Sequence, residues 1–418
     1  MDPHSSISRR RWLAIITAGG IAGCRTLERP GAGSVPAPPG VVIAHSPARS
    51  GLYIGSPSIA VLPNGDYIAT HDFFGPNSDE HRQAISRVYR SSDRGRRWTW
   101  ISDLRGAFWS TLFVHGGQLY LLGTDRHHGR VVIRRSVDGG VHWTQPLGST
   151  TGVLRSDAEY HGAPVPVVEH QGRLWRALEW RNPPKAWGVN YRAGVLSAPV
   201  DADLLDAASW KTTRFLSSDR SWNGGDMGAW LEGNVVVAPD GRLVNILRVD
   251  TQGLPERAAW VSIDGPEEDL RFDPRDGFIT LPGGSKKFTI RFDPRSRRYW
   301  TLASVVPRGW EPAGKPARTR NTLGLVSSSD LTTWSIRCHL LHDPDRDHVG
   351  FQYVDWLLDG DDLIAVCRTA FPDGLGGAHS AHDANFLTFH RIRRFRDLGP
   401  GDSVPISRFD ALAQARRP

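Results

Sequence analysis

Short apolar runs, each cut by a tight polar turn and then resumed, recur along the chain. The first is Ser58-Ile59-Ala60-Val61-Leu62, turning through Pro63-Asn64-Gly65 into Asp66-Tyr67-Ile68-Ala69. A second runs from Thr111 to Val114, turns at His115-Gly116-Gly117, and resumes from Gln118 to Leu121. The third joins Val165–Val168 to Leu174–Ala177 past Gly172, and the fourth joins Asn234–Val237 to Arg242–Asn245 through Pro239-Asp240-Gly241. The fifth pairs Lys287–Ile290 with Arg298–Thr301 across Asp293-Pro294, and the sixth pairs Tyr353–Trp356 with Leu363–Val366 across Asp359-Gly360. Gly, Asn and Asp at the turn points supply the φ values and local hydrogen bonds that hairpins demand. No helical periodicity of any length follows the first residues, and a short surface helix is expected only near Leu204 to Ala208.

A second pattern overlies the hairpins. Ser91-Ser92-Asp93-Arg94-Gly95-Arg96-Arg97-Trp98 and Ser136-Val137-Asp138-Gly139-Gly140-Val141-His142-Trp143 both read Ser-x-Asp-x-Gly-x-x-Trp, with a shorter echo at Ser328-Ser329-Asp330-Leu331-Thr332-Thr333-Trp334. Each copy follows a β-rich run. Asp accepts backbone N–H bonds in the turn, Gly takes positive φ, and Trp packs back over it. Internal repetition of this kind marks repeat architectures. Six hairpins, each with a return pair of strands, predict an all-β fold: a six-bladed β-propeller of four-stranded antiparallel blades. In that architecture the innermost strands border a central funnel where ligands bind.

The repeated phrase resembles the Asp-box of the sialidase-like (BNR) β-propeller superfamily, and the resemblance extends from about Gly51 through the hairpins. It implies a glycan-directed activity. Sialidases use an acid/base Asp, a Tyr nucleophile polarised by a Glu, and three Arg that clamp a substrate carboxylate. Asp79 precedes the first box Asp at the separation the acid/base residue implies. Glu232 and Arg248 flank the fourth hairpin as the Glu and a clamp Arg would, and Arg320 precedes the third box at the spacing of another. Two positions depart. Gly55 stands where the first clamp Arg is expected, and Phe351 stands at the nucleophile position, with Tyr353 one pleat away on the same face. If Tyr353 does not serve, Asp79 and Glu232 form an acid–base pair for attack by water. Further polar residues bound the inner strands: His71, Asp72, His161, Glu179, Asp355, Arg368 and His382 are expected to bind substrate. His379, His382 and Asp383 have metal-ligand chemistry, but no second ligand cluster accompanies them, and neither a metal nor a cofactor is expected.

Composition narrows the picture. The chain of 418 residues carries a net charge of +7 and 16 Trp, compatible with an anionic substrate and with indole–sugar stacking. No basic helix or aromatic-interleaved basic patch stands out, which argues against nucleic acid. Residues 1–24 read as an export signal: Ser8-Arg9-Arg10-Arg11-Trp12-Leu13 resembles a twin-arginine motif, and Ile21-Ala22-Gly23-Cys24 a lipobox with Cys24 as lipid acceptor. Residues 25–50 read as a Pro- and Gly-rich tether, 51–398 as the propeller, and 399–418 as a tail. The expectation is an exported, lipid-anchored monomer, periplasmic or at the cell surface, with an exo-acting glycoside hydrolase activity. Two alternatives remain open. One is a polysaccharide lyase using His71, Tyr160, His161 and Arg368. The other is a non-catalytic glycan-binding platform. Cys338 and Cys367 read as buried thiols.

Overall fold

The computed structural model describes residues 37–181, 187–308, 310 and 315–406; the export motif and Cys24 lie outside them. No helix among the described residues is long and apolar enough to cross a membrane. The regular structure is β, apart from short 3-10 turns such as Ala207–Ser209, which stands where a surface helix is expected.

Each of the six hairpins forms. They are Ser58–Val61 with Tyr67–Phe74, Phe108–His115 with Gln118–Thr124, Val168–His170 with Arg173–Arg181, Trp230–Val237 with Leu243–Val249, Ile290–Asp293 with Arg298–Ser304, and Gly350–Asp359 with Asp362–Ala370. Outer strands extend each hairpin, giving a β-propeller arrangement. The separate sheets among the described residues are five rather than six. The reason is local. Val153–His161 pairs with Gly129–Ser136 on one edge, and its last residues pair with Arg173–Arg181 on the other, fusing the second and third hairpin units into nine strands.

The inner strands are stitched together by polar side chains. Ser58 Oγ donates to Asp355 and accepts from Leu112 N, Thr111 Oγ1 donates to Val165 O, Asn234 Oδ1 accepts from Ile290 N, and Trp356 Nε1 donates to Thr289 O. Buried polar groups of this kind must be paired, and pairing them across strands fixes where each strand mouth lies. The apolar core fills wedges between neighbouring sheets. Trp300, Leu325, Trp356 and Cys367 form one wedge, and Ile59, Tyr89, Val366 and Phe389 another. Both Cys338 and Cys367 are free and buried.

Val41–His45, inside the stretch expected to be a tether, is the outer strand of the last sheet and pairs with Phe386–Ile392. The ring is thereby closed by residues from both ends of the chain. The start of the expected tail also packs on the sheets, with Val404 N donating to His339 O at 2.9 Å.

The three repeated phrases fold alike. In the first, Gly95 N donates to Ser91 Oγ, Arg97 N to Asp93 Oδ1, and Trp98 Nε1 to Gly95 O. The second and third repeat this with Asp138 and Trp143, and with Asp330 and Trp334. In the third, Leu331 replaces Gly and still adopts a φ of 67°. None of the three turns contributes a residue to the wall of the funnel cavity lined by Trp109 and Tyr353.

Candidate functional site

Three inner strands break register near their starts: between Phe108 and Thr111, between Leu231 and Asn234, and between Gln352 and Asp355. At each break one side-chain-bearing residue takes a positive φ: Trp109 at 49°, Glu232 at 56° and Tyr353 at 55°. A left-handed residue with a Cβ costs about 1–2 kcal/mol, and such strain collects at functional sites. Each bulge re-aims one side chain while the ladder resumes beyond it. Tyr353, not Phe351, therefore faces the funnel; Phe351 is packed in an apolar wedge.

Trp109 and Tyr353 line a cavity of about 410 Å³, and Glu232 lies behind it, joined to Tyr353 and Arg248 on its wall. Tyr353 Oη donates to Glu232 Oε1 at 2.6 Å, and Arg248 Nη1 donates to Glu232 Oε2 at 2.8 Å. Arg248 is fixed from behind by Nε donating to Ser285 O at 2.8 Å. Burial opposes ionisation of Glu232, but Arg248, His161 and the Tyr353 hydrogen bond outweigh it and hold the carboxyl below its ordinary range. Burial and the neighbouring Glu232 push the Tyr353 phenol up to about 12.

Two more buried arginines border the same cavity, with the exposed Arg318 at its edge. Arg320 Nη1 donates to Gln352 Oε1 at 2.5 Å; burial and the nearby Arg248 charge pull this guanidinium down to about 10. Arg368 donates to the carbonyl of His382 and stacks over Phe74 and Tyr353, 4.4 and 5.0 Å from the ring centroids. Its Nε is buried without a hydrogen-bond partner. An unpaired buried guanidinium N–H beside two other cations is a ready receptor for an anion.

Asp72 also lines the cavity. Its Oδ1 accepts from Ser56 N and its Oδ2 from Trp109 N, each at 2.7 Å, so one carboxyl ties the mouths of two inner strands. Burial pushes Asp72 up to about 7, against the lowering pull of those two N–H bonds and Arg368, with Glu80 adding to the rise. Gly55 is what admits it. A Cβ at position 55 would lie 1.6 Å from Asp72 Oδ1. The residue that replaces the expected clamp arginine thus makes room for a carboxyl.

His161 completes the wall, with Nδ1 and Glu179 Oε2 2.7 Å apart and both side chains buried. Its ring lies against Trp109 and Tyr191, at 4.3 and 5.0 Å between centroids. Glu179 Oε1 also accepts from Gly233 N at 3.3 Å, beneath the Glu232 bulge. His382 lines the cavity, with its Nδ1 hydrogen-bonded to Asp383 Oδ1 at 2.7 Å.

Other sequence candidates stand elsewhere. Asp79 is exposed and borders a separate recess with His45, His71 and Asp103. His71 faces that recess because neighbours on a strand point to opposite faces, so Asp72 enters the funnel and His71 turns away. Burial pulls His71 down to about 4. Asp355 is structural: it accepts from Ser58 Oγ, Ile59 N and Trp356 N and contacts Arg291. Tyr160, a lyase candidate, donates to Asp157 and packs in a wedge. The sequence reading had not singled out Trp109, Glu80, His127, Trp187 or Lys315, which also border the cavity.

No family model and no curated protein matches this chain. Solved structures do. The Penicillium chrysogenum α-L-arabinanase complexed with arabinobiose superposes with a TM-score of 0.51 at 16% identity, covering 86% of this chain and 98% of that one. A Fusarium graminearum α-L-arabinofuranosidase bound to an iminosugar inhibitor gives 0.52 at 11% identity, covering 86% and 98%. The Trypanosoma rangeli sialidase in complex with sialic acid gives 0.52 at 14% identity, covering 82% of this chain and 54% of that one. The chain has the fold of the propeller glycoside hydrolases. At these identities the likeness speaks for the fold, and function rests on the site.

Proposed function

We propose that this protein is an exported, exo-acting glycoside hydrolase whose substrate presents a carboxylate. One observation carries the reading: the chain Tyr353–Glu232–Arg248 opens into a cavity also bordered by Arg320 and Arg368. Glu232, held ionised by Arg248, accepts the phenolic proton as Tyr353 Oη attacks the anomeric carbon. A neutral nucleophile suits a substrate whose own carboxylate lies nearby, because no like charges are brought together. Arg248, Arg320 and Arg368 hold that carboxylate, with Arg368 supplying from the last sheet the third guanidinium that Gly55 cannot. Asp72 gives its proton to the leaving oxygen; its carboxylate then takes a proton from the incoming water, which displaces Tyr353 Oη from the anomeric carbon while Glu232 returns the phenolic proton, so configuration is retained. We read the fused nine-stranded sheet as two blades, making six in all. The cavity is of a size for a terminal sugar rather than a groove for a chain interior. Export rests on the arginine and Cys24 motifs of the leader.

The test is a panel of sialosides, uronic-acid glycosides, arabino-oligosaccharides and neutral glycosides. A carboxylated glycoside should turn over, and Arg368→Gln should raise its KM by about tenfold or more, the value of a lost charge-assisted contact. Turnover of arabino-oligosaccharides alone would overturn the carboxylate clamp. An unsaturated, ultraviolet-absorbing product would replace hydrolysis by elimination.

The proton donor makes a separate prediction. A carboxyl raised to about 7 is protonated below that pH and loses its proton above it. Turnover should therefore fall as pH rises through 7, and a profile flat between about pH 6 and 9 would remove Asp72 from that role.

A further inference from the structure

At the rim of the cavity lies a group of side chains that the proposed hydrolysis does not use. Glu80 and His81 sit on the loop after Tyr67–Phe74, and His127 sits on the turn before Gly129–Ser136. His127 N donates to the Glu80 carbonyl at 2.7 Å, which locks the turn to the loop. The donor atoms converge: Glu80 Oε1 is 3.2 Å from His81 Nε2 and 3.5 Å from His127 Nδ1, and all three lie within 4.8 Å of one another. A tetrahedral ion with bonds of about 2.0–2.1 Å to N and O has edges of about 3.3 Å between its ligand atoms. Two of the three separations already have that length.

The surroundings fit a ligand set better than a simple hydrogen-bonded cluster. His127 Nδ1 is buried and has no hydrogen-bond partner. Its ring is fixed between Phe108, Trp109 and His128. Glu80 Oε2 accepts from Gly75 N at 3.2 Å, which orients the carboxylate and leaves Oε1 for the ion.

We propose that Glu80, His81 and His127 bind a divalent transition-metal ion, with Zn²⁺ the best fit to two imidazoles and one carboxylate. Three protein ligands leave a position open. Glu80 and His127 border the funnel cavity, so the open position is available to an oxygen of a bound glycan. The site stands whether or not the hydrolase reading does.

The measurement is calorimetric titration of ZnCl₂ into the untagged full chain after chelator treatment and dialysis, with melting temperature followed in parallel. One equivalent should bind, and Zn²⁺ should raise the melting temperature. His81→Ala and His127→Gln should each weaken binding by about tenfold or more, the usual cost of disturbing a metal site. His81 is exposed, so its variant tests the ligand set without disturbing the core. His142→Ala, on a remote exposed turn, should bind as the parent does. The proposal fails if no binding is seen at sub-millimolar Zn²⁺. It also fails if His81→Ala binds with unchanged affinity, or if His142→Ala weakens binding as much as His81→Ala.

Discussion

Tyr353→Phe is expected to lower turnover by about 10³-fold or more while the protein stays folded, because it removes the nucleophilic oxygen and nothing else. The ring stays between Arg368 and the strand mouth, so stacking survives. Glu232 loses one hydrogen bond at 2.6 Å but keeps Arg248, and the stability cost should be about 1–2 kcal/mol. Binding of a carboxylated product should persist, since all three guanidinium groups remain. The discriminating readout is turnover and product affinity measured on the same variant. If Tyr353→Phe keeps turnover within about tenfold of the parent, attack by water is the better account. Proton NMR of the first-formed anomer gives an independent check, because nucleophilic Tyr353 demands retention.

Gly55→Ala should be among the most damaging single substitutions in the chain. The added Cβ would meet Asp72 Oδ1 at 1.6 Å, and the backbone carbonyl of Asp72 at 2.9 Å. Oδ1 is held by Ser56 N and Oδ2 by Trp109 N, so the carboxyl cannot swing away without leaving buried N–H groups unpaired. Overpacking of this severity costs about 3 kcal/mol or more, readable as a shift in the urea midpoint. Asp72→Ala alone leaves the two N–H groups unpaired, at about 1–3 kcal/mol each. In the double variant the 1.6 Å overlap is gone and only the 2.9 Å approach to the backbone carbonyl of residue 72 remains, so the two effects should be strongly non-additive, with the pair much less damaged than the sum of the single variants. Additive effects would mean that the Asp72 carboxyl is not what excludes a side chain at position 55.

The hairpins were legible because Asn-Gly, Asp-Gly and Gly-Gly turns and short apolar runs are local signals. Their assembly into sheets was less so: nothing local in Val153–His161 reveals that its end pairs with Arg173–Arg181. Within the site, Glu232 with Arg248 could be read from a hairpin that has one at each end. Tyr353 could not be separated from Phe351, since a bulge adds a residue to the strand and changes which side chain faces the funnel. No residue-type rule announces a positive φ at Trp109, Glu232 or Tyr353. Asp72 and His71 are adjacent, and only the pleat decides which of them enters the cavity. Asp79 lies on a loop whose path depends on contacts distant in sequence, among them Asn77 N to Gly51 O.

The closing strand Val41–His45 has a consequence for the chemistry. Gly55 and Asp72 belong to the first sheet, and Tyr353 and Arg368 to the last, so the cavity straddles the seam where the ring shuts. That seam is held by non-covalent links: the pairing of Val41–His45 with Phe386–Ile392, Ser58 with Asp355, and Ile54 N with Ala384 O. A site built on one sheet could survive the loosening of another. This one exists only while the circle is complete, so the distance between Asp72 and Tyr353 is itself a gauge of closure.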